Sequence, residues 1–175
     1  MIEYAVLSAI GADRPGLVEA VSEFVLEHGG NIEDSRMANL RGQFTMMLLV
    51  SAPPASLRQM QTALPQLIHK THLHVELRAA PPTVAPRHPA LPYRLRATAM
   101  DQAGLVHRIA QLLRSVNVNI ENMQTTLAEA PYTGAPMFEM DLAISVPSDL
   151  PISRLRQMLT ALCDELNIDW SLSAM

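Results

Sequence analysis

Apolar positions along this chain switch between a period of two and a period of 3.6, and the same order of switches occurs twice. Near the N-terminus Ile2, Tyr4, Val6 and Ile10 mark one face of a strand, while Ala5, Leu7 and Ala9 are apolar on the other. That pattern predicts a strand buried on both faces at the centre of a sheet. Leu17, Val18, Val21, Phe24 and Val25 then follow helical spacing, with Asp13 a candidate N-cap and Pro15 in the first turn. Gly29-Gly30 stops the helix. A hairpin follows over 31–40 and 43–52, with Arg41-Gly42 at its turn. Leu57, Met60, Leu64, Leu67 and Ile68 predict a second helix, and 72–78 a last strand. In the second half Phe138, Met140, Leu142, Ile144 and Val146 face one way, with Glu139, Asp141 and Ser145 facing the other.

The two halves are copies. DRPGLVEAVSEFVLEHGGNIE from Asp13 aligns with DQAGLVHRIAQLLRSVNVNIE from Asp101, an offset of 88 with seven identities in 21 positions. LRQMQTAL from Leu57 aligns with LRQMLTAL from Leu155, now at offset 98. The difference is an extra loop in the second copy, Ala130-Pro131-Tyr132-Thr133-Gly134-Ala135-Pro136, and insertions collect where they cost little, on the surface. Between the copies, residues 79–92 hold Pro81, Pro82, Pro86, Pro89 and Pro92, a density that suits an extended connector and not a helix or central strand. The expected division is 1–79, a Pro-rich linker over 80–92, and 93–175. Each half reads βαββαβ, so the fold class is α+β, two tandem ferredoxin-like domains. At about 80 residues each half is near the lower limit for a self-sufficient core, so the halves are expected to pack on each other or on a second chain.

Composition narrows the function. Hydrophobic residues are 49% of the 175 and charged residues 17%, which excludes a disordered chain. A net charge of −4 argues against duplex nucleic acid, which calls for a basic patch. One cysteine, Cys163, makes no internal disulfide. No stretch reaches a membrane span, and Met1-Ile2-Glu3-Tyr4 does not begin a signal peptide, so a cytoplasmic protein is expected. With aromatics at 4% the central strands lack the stacking set of an RNA-recognition module. A single cysteine offers no Cys-x-x-Cys for a soft metal, and neither copy carries a nucleophile-and-base set, a Walker loop or HExxH. No catalytic residue, cofactor or metal is assigned.

What recurs is the turn between the first strand and first helix, Gly11-Ala12-Asp13-Arg14-Pro15-Gly16-Leu17, together with Asn31 opening the next strand. A βαβ half-turn is expected to bring these two points close. A helix N-terminus offers unpaired N–H groups to a carboxylate, and Gly16 admits a ligand without a Cβ in the way. Asp13 and Asn31 then suit an ammonium group and a polar side chain, which makes an α-amino acid the matching ligand. Equally, Asp13 and Asp101 serve as helix caps, and Asn31 and Asn119 as turn residues.

Asp13-Arg14-Pro15-Gly16-Leu17-Val18 with Gly30-Asn31-Ile32, doubled as Asp101-Gln102-Ala103-Gly104-Leu105-Val106 with Asn119-Ile120, resembles the ACT domain. The resemblance implies βαββαβ regulatory modules that bind amino acids at interfaces between paired domains. Two such modules with no catalytic or DNA-binding domain attached resemble the family of glycine cleavage regulators. That likeness implies a homo-oligomer that senses a small amino acid, glycine favoured, and represses transcription through a DNA-binding activator. The implied ligand contacts are Gly11, Asp13, Arg14, Pro15, Gly16, Leu17, Asn31 and Ile32 in copy one. In copy two they are Asp101, Gly104, Leu105, Asn119 and Ile120. Serine-binding relatives carry a polar residue where this chain has Gly11 and Ala99, and copy two departs at Gln102-Ala103 and at Asn117-Val118. Copy one is therefore expected to hold the better site, with the tighter turn. The rival reading is a tandem adaptor that dimerises without binding a ligand.

His69, His72 and His74 form H-x-x-H-x-H, with His72 and His74 on one strand face. A zinc or nickel pair and a solvated edge strand both fit, the second more economically. The eleven methionines suit core and interface filling. Cys163 suits a buried helix position, and Trp170 in the final strand suits an interface anchor.

Overall fold

The computed structural model describes residues 1–81, 89–129 and 134–175. The chain forms two compact units, Met1–Ala85 and Pro86–Met175. In the first, β1 (Glu3–Ala12), α1 (Leu17–Glu27), β2 (Asn31–Leu40), β3 (Gln43–Ala52), α2 (Pro54–Thr71) and β4 (His74–Ala80) make an antiparallel sheet of order β2-β3-β1-β4. Ala5, Leu7 and Ala9 of β1 pack with Leu48 and Val50 of β3 under Leu17, Val21, Phe24 and Val25 of α1 and Met60, Leu64 and Leu67 of α2. The helices cover only that face. β1 is central in the plane of the sheet but is not buried on both sides as its apolar run predicts: Val6 is half-buried and Ile10 is 48% exposed.

The hairpin follows the predicted bounds, with Arg41 and Gly42 both at positive φ in its turn. The last strand does not start at residue 72. His72 sits at φ 58 as the C-cap of α2, and its N–H reaches the Ile68 carbonyl at 2.7 Å, so pairing begins only at His74. His72 and His74 therefore do not share a strand face.

The second unit repeats the plan with β5 (Ala90–Met100), α3 (Leu105–Ser115), β6 (Asn119–Glu129), β7 (Pro136–Pro147), α4 (Ile152–Leu166) and β8 (Asp169–Ala174), in the order β6-β7-β5-β8. Its own core joins Leu95, Ile109, Leu113, Leu142, Leu155 and Leu159, with Cys163 buried and Trp170 packed at its margin. β4 runs to Ala80 and β5 begins at Ala90, so residues 80 and 90–92 of the expected linker are strand, and residues 82–88 lie outside the described residues. Pro92 stands in a central strand, contrary to the expectation for proline. Its carbonyl accepts the N–H of Met175 at 3.1 Å just past the last ladder pair with β8, so the missing N–H costs only the reciprocal bond at the end of that ladder. Most of the extra loop, residues 130–133, is likewise outside the described residues, and Pro136 already opens β7.

Both sheets carry one bulge at the same place. Register shifts between Ile32 and Asp34 in β2, and between Ile120 and Asn122 in β6, leaving Glu33 and Glu121 as the extra residues.

Candidate functional site

The recurring turn forms a corner at the end of β1. Helix α1 opens at Leu17 with Gly16 as N-cap at φ 91, and α3 opens at Leu105 with Gly104 at φ 94. Only glycine takes that conformation without strain, and the two caps share it. No side chain caps either helix. Asp13 is thus not the N-cap, and Pro15 lies before the first turn of the helix. Asp13 instead fastens the corner to the hairpin: its N–H donates to the Gly42 carbonyl at 2.8 Å, and its carboxylate accepts from Asn39 Nδ2. Asn39 Oδ1 in turn accepts the Gly42 N–H at 3.0 Å. Asp101 keeps the backbone half of this latch, donating to the Pro136 carbonyl at 3.0 Å, but Leu127 stands where copy one has Asn39 and has no donor to offer.

Arg14 is also engaged. One guanidinium nitrogen donates to the carbonyls of Lys70 and Thr71, at 3.0 and 3.2 Å, at the C-terminus of α2. Those carbonyls have no partner within their helix and carry its negative end. Gln102 makes the matching contact in the second unit, Nε2 to the Leu166 carbonyl at 3.1 Å. The departure at Gln102 is therefore a substitution that keeps the brace. Beside the corner lies a cleft of about 270 Å³ between Arg14, Gly16, Glu19, Glu23 and Lys70. An ion pair, Lys70 Nζ to Glu23 Oε2 at 2.7 Å, crosses its wall and holds the Lys70 pKa above the usual range.

Several expected contacts belong to the core. Leu17 and Leu105 are buried, and Ile32 and Ile120 pack against their respective cores. Gly11 is glycine for packing, since a Cβ there would stand 2.8 Å from Leu73 Cδ2; the equivalent Ala99 is buried. Asp13, Arg14, Pro15, Gly16 and Asn31 stay exposed in the first unit, as do Asp101, Gly104 and Asn119 in the second.

Asn31 does not approach the corner of its own unit. It pairs with Ser51, which pairs with Tyr4, whereas the corner follows Ala12. Eight residues of strand separate those levels, about 26 Å at about 3.3 Å per residue. The half-turn expectation fails because α1 runs the length of the sheet and returns the chain to the opposite end. Asn119 is separated from Asp101 in the same way, at the level of Pro92 through Ser145.

At its own end Asn31 belongs to a polar cluster. Its Nδ2 donates to Glu33 Oε1 at 3.0 Å, and Ser51 Oγ donates to the same oxygen. Asn119 Nδ2 donates to Glu121 Oε1 at 2.7 Å, and Ser145 donates to Glu121 as well. Both glutamates are held below the usual carboxylate range, Glu33 first by Ser51 and then Asn31, Glu121 first by Asn119 and then Ser145. The repeat had flagged the pair, since Glu33 and Glu121 are among its seven identities; the serines follow only from strand register.

Among the described residues no group of three or more His, Cys, Asp or Glu is placed to hold a metal, and the His69 and His72 rings stand 6.4 Å apart. Among those residues no helix is long and apolar enough to cross a membrane.

Comparison with known proteins agrees with this architecture. Residues 3–78 match the model of the ACT domain family. The glycine cleavage system transcriptional repressor of Escherichia coli (strain K12) is 28% identical over 170 residues, covering 97% of this chain and 89% of that protein. A crystal structure of a protein from Galdieria sulphuraria superposes with a TM-score of 0.86 at 27% identity, over 100% of this chain and 99% of that one. The phosphoserine phosphatase SerB2 of Mycobacterium tuberculosis is 24% identical over 165 residues, 93% of this chain but 39% of the enzyme. With residues 3–78 matched by the ACT domain family model and the second unit repeating that topology, bulge and helix brace, the chain has a tandem ACT-like structure.

Proposed function

We propose that this protein is a non-catalytic regulator that binds a small amino acid, with glycine favoured, and modulates transcription through a protein partner in the cytoplasm. The observation that carries the reading is the likeness to the glycine cleavage repressor along 97% of the chain. The repetition of the corner and of the asparagine cluster in both units supports it. The exposed N-terminus of α1, with Gly16 at φ 91, suits a carboxylate. Because Asp13 and Asn31 stand at opposite ends of one sheet, a ligand touching both kinds of residue needs a second ACT-like unit beside the first. Self-association, by resemblance, is part of the proposal, and ligand acts by binding one arrangement of paired units better than another. The partner is a DNA-binding activator, in keeping with an acidic chain of net charge −4.

A thermal-shift panel of all twenty amino acids tests it. A ligand of the folded state at a hundredfold excess over Kd adds about 2.7 kcal/mol, which is several degrees at this size. The expected outcome is a selective shift with glycine that D13A and N31A abolish while the proteins stay folded. A flat panel, with calorimetry showing no heat, removes the sensor reading. In that case the adaptor reading takes its place, favoured by the exposed edge strands β2 and β6, which leave backbone groups open for pairing. Capture of transcription factors with and without glycine tests the regulatory step, and no partner under either condition overturns it.

A further inference from the structure

We infer that Glu33, and Glu121 in the second unit, are positioning residues that make the asparagine cluster a receptor for the ammonium end of an amino acid. This rests on the sensor reading and deepens it. The argument is one of donors and acceptors. An ionised carboxylate only accepts hydrogen bonds, so the Asn31 group facing Glu33 Oε1 has to be the NH2. With Nδ2 held at 3.0 Å, the amide presents its carbonyl oxygen away from Glu33. Asn119 and Glu121 do the same at 2.7 Å.

Ser51 occupies the same Glu33 oxygen, and Ser145 donates to Glu121, so each carboxylate has a fixed orientation. The surface so formed carries an outward amide oxygen beside a negative charge. It attracts N–H donors bearing positive charge and repels a ligand carboxylate, which is left to the helix N-terminus at the corner. Asn31 lies opposite Ser51, and Glu33, the extra residue of the bulge, bonds to both.

The test is isothermal titration of the full chain with glycine, with glycolate, which replaces the ammonium by a hydroxyl, and with trimethylglycine, which keeps the charge but has no N–H. Wild type is expected to bind glycine at least a hundredfold tighter than either analogue. E33A/E121A is expected to lose tenfold or more of glycine affinity and to bring the glycine-to-glycolate ratio toward one, since the amides can then turn over. E33D/E121D is expected to recover part of that ratio. Folding is monitored by circular dichroism, and both glutamates are exposed, so the variants are expected to fold. If wild type binds glycine and the glutamate variants keep both affinity and ratio, the positioning role is overturned and the sensor reading stands. If wild type binds none of the twenty amino acids, both fall.

Discussion

A methyl group added at Gly30 would stand 2.5 Å from Met60 Cε, 3.0 Å from Val25 Cγ1 and 3.1 Å from Val50 Cγ1. The glycine before the site asparagine is thus a packing requirement of α1, α2 and β3. G30A is expected to cost about 1–3 kcal/mol through overpacking, read as a lower urea midpoint. The second unit has Val118 at this place, buried in a core built to hold it. Cys163 gives a second check at this scale. Burial, followed by the nearby Asp164 charge, pushes its thiol up to about 11. The reactive thiolate is therefore scarce at pH 8. Iodoacetamide is expected to label the folded protein slowly at that pH and to label it rapidly in urea.

At the scale of elements, the strands and helices were legible because their spacing is unambiguous. Met140, Leu142, Ile144 and Val146 are buried in β7, as the alternation requires. What escaped was geometry between elements. Nothing in the residues near Asp13 says that its carboxylate meets Asn39, 26 positions on, or that Arg14 spans to carbonyls beyond residue 69. The polarity of the sheet faces was also hidden. Val6, Ile10, Met47 and Leu49 lie on the face of β1 and β3 opposite the helices, where apolar character is no sign of burial. In the second unit the same face carries Arg94 and Arg96 against Asp141, with Arg94 Nη2 to Asp141 Oδ2 at 2.7 Å. Asp141 is held below its usual pKa, first by the hydrogen bond from Arg94. A carboxylate lowered on folding adds stability above its unfolded pKa and loses it as pH falls through the folded one. The urea midpoint is expected to drop below pH 4, and D141N is expected to shrink that acid-side drop while lowering the midpoint at pH 7.

For the whole molecule, duplication was the most legible property, since it needs only self-comparison. The placement of Asn31 away from Asp13 was the least legible, because it depends on where a helix deposits the chain. Each unit has its own buried cluster. L48A is expected to cost about 2–5 kcal/mol, and hydrogen exchange is expected to show lost protection across β1, β3 and α2 with that of β5 and β7 retained. L142A is expected to give the converse pattern.

Tandem copies face a hazard that single domains do not: during synthesis, a segment of one copy can dock where its twin belongs. LRQMQTAL in α2 and LRQMLTAL in α4 differ at one position, exposed Gln61 against buried Leu159, and both helices bury leucines at the same spacing, Leu64 and Leu67 in one and Leu159 and Leu162 in the other. The ion pairs at the far ends of these helices differ. Lys70 on α2 meets Glu23 on α1, whereas Glu165 on α4 meets Arg108 on α3, with the signs reversed. Exchanging the partners would set Glu23 toward Glu165 and Lys70 toward Arg108. Each exposed pair is worth under about 1 kcal/mol, but the reversal turns attraction into repulsion at both places. The two copies thus carry opposite charges at the ends of helices whose buried leucines are spaced alike, which favours each helix packing in its own unit.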